Sequence, residues 1–222
     1  MKTPKKIRGQ DVIPLFPLGV VLLPQMILPL HIFEERYKMM VNECLVQDSQ
    51  FGIVYYDGKE IYKAGCTATI IDVLKQYEDG RMDIVTEGKK RFFINEIDEN
   101  RIYLRAGVYY FDDTDEKRLS EDESLIREAL DLLKRLDRMT GTVRDYEALT
   151  RLDHKRLSFL IPGAEGFTPD ERQQLLEMKS TRRRLLKCKD VLKKVIERTR
   201  ISQEVLQIIS GNGNVKKYKS EI

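Results

Sequence analysis

Ile13-Pro-Leu-Phe-Pro-Leu-Gly-Val-Val-Leu-Leu-Pro-Gln-Met-Ile-Leu-Pro-Leu-His-Ile-Phe-Glu-Glu-Arg-Tyr-Lys-Met-Met-Val41 carries more information in its punctuation than in its hydropathy. The apolar run from Val12 to Leu30 has the length of a leader peptide or membrane span. Pro14, Pro17, Pro24 and Pro29 interrupt it, and proline breaks the continuous helix that either would need. A soluble, unexported, cytoplasmic protein is the expectation. Proline also fixes its own φ and donates no ladder hydrogen bond, so these residues and Gly19 are read as shaping the chain between strands. From His31 to Val46 the pattern changes. Phe33, Tyr37, Met40, Val41, Cys44 and Leu45 recur at three- and four-residue steps, which predicts a helix burying one stripe.

On the C-terminal side of this helix the chain reads as strand as far as Tyr110. Short Val-, Ile-, Tyr- and Phe-rich runs alternate with turn signals such as Asp57-Gly58 and Asp79-Gly80. Strands are predicted over Ile13–Pro17, Phe51–Tyr56, Ala64–Leu74, Met82–Glu87, Arg91–Ile97 and Ile102–Tyr110, a density that suits a compact barrel. The acidic stretch Asp112–Asp122 carries almost no apolar residue and reads as a connector. After it the period is helical, with Leu125, Ala129, Leu132, Leu133, Leu136 and Met139 on one face before Gly141. Shorter helices are predicted over Asp145–Arg151 and His154–Phe159. Thr168-Pro169-Asp170-Glu171 is a complete helix start, with a cap, a first-turn proline and a capping-box glutamate. Ser180 is predicted to cap a last helix whose buried stripe is Leu185, Cys188, Val191, Leu192, Val195 and Ile196. The expected organisation is α+β: a barrel subdomain over 1–111 with one packed helix, a connector over 112–122, a helical bundle over 123–210 and a flexible tail over 211–222. No internal repeat is visible.

The 39 Lys and Arg nearly balance 36 Asp and Glu, so the net charge of +3 lacks the bias of a dedicated nucleic-acid binder. Three scattered cysteines, Cys44, Cys66 and Cys188, form no disulfide framework and suit a reducing compartment. With only His31 and His154 and no paired cysteines, no zinc-ligand spacing is present. His31, at the start of the predicted helix, reads as a structural imidazole rather than a general base. Gly58-Lys59 and Gly88-Lys89 lack the rest of a phosphate-cradling loop, and no Gly-x-Ser-x-Gly turn occurs. No cofactor, metal or catalytic residue is expected.

The quoted stretch resembles the opening of the Lon protease N-terminal, substrate-binding domain family. Two prolines punctuate an apolar strand, Pro24-x-x-x-x-Pro29-Leu30 follows, and then comes the helix start Phe33-Glu34-x-Arg36-Tyr37. The likeness continues through Phe51-Gly-Ile-Val54, Gly65-Cys-Thr-Ala68, Gly80-Arg81 and Gly88-x-x-Arg91-Phe92. Leu157-Ser-Phe159, Glu171–Glu177 and Arg183-Arg-Leu185 extend it to roughly residues 11–200. The resemblance implies a PUA-like barrel followed by helices. It also implies binding of unfolded or tagged polypeptide in protein quality control, without the ATPase and peptidase domains of Lon and hence without cleavage.

Among the motif residues, Pro17, Gly19, Pro24, Pro29, Phe33 and Tyr37 are read as structural. Glu34 suits the positive end of the helix dipole, and Arg36 is within reach of a loop carbonyl or carboxylate. Leu22, Leu23, Met26, Ile27 and Leu28 are the candidate peptide-binding residues. An apolar loop between prolines need not bury every side chain, and methionine adapts to varied partners. Two alternatives remain at this level. Arg182, Arg183, Arg184, Lys187, Lys189, Lys193 and Lys194, with the lysine-bearing tail, would form a basic face for RNA. Otherwise the chain is an adaptor for one specific protein. Oligomeric state and physiological ligand are not legible.

Overall fold

The structure is a computed structural model that describes residues 11–114 and 120–212 of the 222-residue chain. It is α+β, with a six-stranded mixed sheet and several helices. The strands are β1 (Asp11–Leu18), β2 (Ile27–Ile32), β3 (Phe51–Tyr56), β4 (Ile61–Gln76), β5 (Met82–Asp98) and β6 (Arg105–Phe111), ordered β2-β5-β4-β3-β1-β6. β1 runs parallel to β3, and every other pair is antiparallel. The long β5 does double duty. Its first half lies between β2 and β4, while its second half also pairs with β6, so the ladders from β5 through β4, β3, β1 and β6 return to β5.

Closing the ladders around a single aromatic ring requires missing side chains. A Cβ on Gly52 or Gly65 would stand 2.6 or 2.5 Å from Phe92 Cζ, so both positions must be glycine for Phe92 to pack with Ile13, Leu15, Val54, Ala106 and Val108. A second cluster fills the space between the sheet and helix α1 (Glu35–Gln47), where Phe16 stacks on Tyr37 at 4.0 Å. Phe159 and Leu176 enter this cluster from the helical part of the chain.

That part contains α2 (Ser120–Thr140), α3 (Tyr146–Thr150), α4 (His154–Leu160), α5 (Pro169–Glu177) and α6 (Thr181–Asn212). The start signals read at Thr168 and Ser180 act as the sequence indicates, and Asp145, expected as the first helical residue, is a cap instead. Asp145 and Asp153 cap α3 and α4, Thr168 and Glu171 complete a capping box, and Ser180 Oγ accepts from the Arg183 N–H at 3.1 Å. α2 ends before Gly141, whose φ of +76° is left-handed. The apolar stripes of α2 and α6 face each other in a third cluster.

Two arginines on one carboxylate join the sheet to the helices. Arg91 on β5 donates to Asp113 Oδ1 at 2.6 Å and to the α5-terminal carbonyls of Leu176 and Met178 at 3.0 and 2.5 Å. Arg184 on α6, with 0% of its side chain exposed, donates to Asp113 Oδ1 and Oδ2 at 2.8 and 2.6 Å and to Ser158 Oγ at 2.8 Å. Phe159 lies beneath both, 3.9 Å from the Arg184 guanidinium and 5.0 Å from that of Arg91.

Several expectations need correction. β2 was not anticipated, and it takes His31 and Ile32 from the predicted helix because they register against Asp83 and Met82, so α1 begins at Glu35. Phe33, ahead of α1, and Leu45, outside the buried stripe of Tyr37, Met40, Val41 and Cys44, are exposed. The strands predicted on either side of Gly88 are one, since Gly88 serves a close approach rather than a turn. The connector overlaps the start of α2, and α6 continues into the expected tail as far as Asn212. Residues 115–119 and 213–222 of those segments lie outside the described residues. Arg184 is not part of an exposed basic face, because it is committed to Asp113.

Burial alone would raise the Asp113 carboxyl. The hydrogen bonds from Arg184 and Thr181, with the charges of Arg184 and Arg91, outweigh it and hold the group at about 2. A pKa depressed on folding stabilises fully above the unfolded value and is lost as pH falls through the folded value. Acid titration of wild type is therefore expected to lose stability as pH falls through the carboxylate range toward 2. Asp113→Asn is expected to remove this component and, by stranding buried Arg184, to lower stability at neutral pH by roughly 3–5 kcal/mol in urea denaturation.

Candidate functional site

The chain between β1 and β2 folds inward. Leu22 and Leu23, with 1% and 0% of their surface exposed, belong to the cluster shared with α1 and are removed from any binding surface. A close backbone approach sets this. A Cβ on Gly88 would stand 2.2 Å from the Leu23 carbonyl oxygen. Around that contact Gln25 N–H donates to Gly88 O at 2.7 Å and Gly88 N–H donates to Met26 O at 3.0 Å. Gln25 takes a φ of +65°, unusual for a residue with a side chain, to turn the chain into β2.

β2 then alternates. Leu28 and Leu30 are half-buried and Ile32 is buried, whereas Ile27, Pro29 and His31 are exposed. Their partners on β5, Glu87, Val85 and Asp83, stand on the same outer face. β2 pairs only with β5 among the described strands, so its other side is an edge. Met26 O and Leu28 O accept from β5, through Gly88 N–H and Thr86 Oγ1, which directs the backbone of Ile27, Pro29 and His31 toward that edge. Pro29 has no N–H to offer there, a device that blunts strand-to-strand association.

At the end of β2, Phe33 is 60% exposed and stacks on His31 with ring centroids 6.0 Å apart. His31 Nδ1 lies 2.6 Å from Asp83 Oδ1, and Tyr77 Oη donates to Asp83 Oδ2 at 2.9 Å. These bonds, from His31 first and Tyr77 second, hold the Asp83 carboxyl below its ordinary range. Lys75 and Arg81 lie over the Tyr77 ring. Glu34 precedes α1 without a side-chain cap bond and instead accepts from Arg36 Nε at 2.8 Å, while the Arg36 guanidinium sits 4.6 Å over Tyr37. The result is an apolar face of Ile27, Pro29, Val85 and Phe33 beside a polar network.

The five residues singled out from sequence are thus not brought to one surface. Leu22 and Leu23 are core, Met26 and Leu28 are partly buried against it, and Ile27 is 50% exposed. Phe33 and the alternation of β2 were missed as surface features. The signal was present in Ile27-Leu-Pro-Leu-His-Ile32, but an apolar residue at most positions masks a period of two, and Pro29 argues against strand unless the strand is an edge. Pro17, half-buried in β1, and Pro24, buried, shape the backbone, and Gly19 has nothing within 4 Å of its would-be Cβ.

Burial pushes the thiols of Cys66 and Cys188 up to about 12 and raises that of Cys44. Among the described residues no group of three or more His, Cys, Asp or Glu is placed to hold a metal ion, and no helix is long and apolar enough to cross a membrane.

Residues 12–194 match the family model of the ATP-dependent protease La (LON) substrate-binding domain. The chain belongs to this family. It is 29% identical over 180 residues to the Lon protease of Parabacteroides distasonis, covering 75% of this chain and 22% of that protein. It is 24% identical over 208 residues to Lon protease 1 of Bacillus subtilis, covering 88% of this chain and 26% of that protein. The chain thus spans about a quarter of the length of such Lon relatives. Two solved structures share the fold. The Lon N-terminal domain protein from Xanthomonas campestris has a TM-score of 0.60 at 24% identity, over 79% of this chain and 95% of that one. The N-terminal domain of Mycobacterium avium complex Lon protease has a TM-score of 0.65 at 20% identity, over 82% and 98%.

The Gly88 contact supports the whole presentation of β2. Gly88→Ala is expected to force the Leu23 backbone away and to destabilise the protein by roughly 1–3 kcal/mol, read as a lower urea midpoint.

Proposed function

We propose that this Lon substrate-binding-family protein is a non-catalytic polypeptide-recognition module. Its closed ladders act as a PUA-like barrel over 1–111 and its helices as a bundle over 123–210, joined through 112–122. The module captures exposed apolar segments of unfolded chains in the cytoplasm without cleaving them.

The observation that carries this reading is the outer face of β2, where Ile27, Pro29 and Phe33 are held in solvent on a rigid sheet. Burying one such side chain against a partner contributes about 1.5–3 kcal/mol, and two or three suffice for weak, sequence-tolerant binding. Because Pro29 leaves a gap in the edge donors, capture proceeds through side chains more than through strand addition. A flexible apolar chain has many ways to meet such a face, which suits a receptor for unfolded segments better than an adaptor for one folded surface.

The RNA alternative loses part of its basis. Arg184 is consumed by Asp113, and Lys189 pairs with Glu128 at 3.0 Å.

Ile27→Asp combined with Phe33→Asp is expected to weaken binding of fluorescent, unstructured apolar peptides about tenfold or more, at an unchanged melting temperature. Wild-type affinity for these peptides is expected to change little with salt. Loss of binding on raising salt, or full affinity in the double variant, would overturn the reading.

A further inference from the structure

A cleft of about 450 Å³ opens between the sheet and α4, within the size range of ligand pockets. Pro24, Tyr110, Phe111 and Phe159 supply the apolar part of its lining, and lysines, Arg91 and the carboxylate of Asp112 the charged part. Among the described residues the charges there do not balance. Lys89 is paired with Glu87 at 2.6 Å and Lys155 with Asp112 at 2.7 Å. Below them two buried guanidiniums, Arg91 and Arg184, share the carboxylate of Asp113. Lys90 has no carboxylate among the described residues. Its ammonium lies 5.3 Å from the centroid of the half-exposed Tyr110 ring, and its backbone N–H is anchored to Thr67 Oγ1 at 3.0 Å.

Gln25 adds a second observation on the same rim. Its left-handed backbone places the side chain at the cleft, where Oε1 accepts from Arg156 Nε at 2.8 Å. That bond orients the carboxamide and leaves its N–H donors without a partner among the described residues. Strained backbone conformations concentrate where a side chain must be presented.

We infer that this cleft is a subsite for a carboxylate carried beside an apolar side chain in an extended polypeptide. Lys90 and Gln25 receive the carboxylate, and Tyr110 and Phe111 receive the apolar neighbour. The inference rests on the polypeptide-binding reading and narrows it, making the preferred segments acidic as well as apolar. A free carboxylate would neutralise Lys90 without disturbing the existing pairs, whereas a basic segment would meet uncompensated positive charge.

The test uses two fluorescein-labelled unstructured peptides, identical except for Phe-Asp in one and Phe-Asn in the other, followed by anisotropy against the full chain and against Lys90→Met. Methionine keeps the apolar stem of an exposed residue, and melting curves check the fold. Wild type is expected to favour the Asp peptide by roughly tenfold, the scale of one charge-assisted hydrogen bond, and Lys90→Met is expected to bring the ratio close to one. Equal binding of both peptides to wild type overturns the subsite while leaving the broader reading in place. A preference that survives Lys90→Met overturns it too, and binding of neither peptide overturns both. Displacement of the Asp peptide by short single-stranded RNA more readily than by unlabelled Asp peptide would replace the carboxylate by phosphate.

Discussion

Asp113 holds Arg91 of the sheet and Arg184 of α6 at once, and the placement of everything between them depends on that pairing. Neither guanidinium can be buried without a counter-charge and filled hydrogen bonds, because desolvating an isolated charge costs several kcal/mol. Here a carboxylate, the terminal carbonyls of α5, a serine hydroxyl and the face of Phe159 supply those needs together. The arrangement also specifies geometry. An apolar patch would let α5 and α6 slide on the sheet, but a fork of donors around one carboxylate admits a single orientation.

This junction explains why the cleft and the β2 face occur where they do. Arg91 lies in the stretch of β5 that follows the Gly88 contact with the loop between β1 and β2, so one strand positions both features. Helix packing forms one wall of the cleft, while the outer side of β2 is left uncovered by the described residues. The apolar residues left there are spaced by the strand period rather than gathered by collapse. They stay in solvent because the inner face of β2 already fills the core beneath.

Much of the helical part was legible. The caps at Thr168 and Ser180 are local interactions between residues three apart, and the stripes of α2 and α6 follow from a period that the chain states directly. The strand part was legible in content but less so in pairing. β2 hid behind Pro29 and a run apolar at most positions. β5 appeared as two strands because Gly88 imitates a turn, while its actual role is contact with a residue far away in sequence.

By itself, then, the sequence determined the α+β composition, the helix boundaries set by capping and the likeness to Lon substrate-binding domains, since all three reside in residues close along the chain. Around β2, tertiary structure alone decided which apolar residues face solvent. Leu22, Leu23, Ile27 and Phe33 are all large and apolar, and the Gly88 contact and the register of β2 against β5 separate core from surface. It likewise decided that Arg184 is a buried tie and that Lys90 meets no carboxylate among the described residues, because a counter-ion is a matter of distance in space.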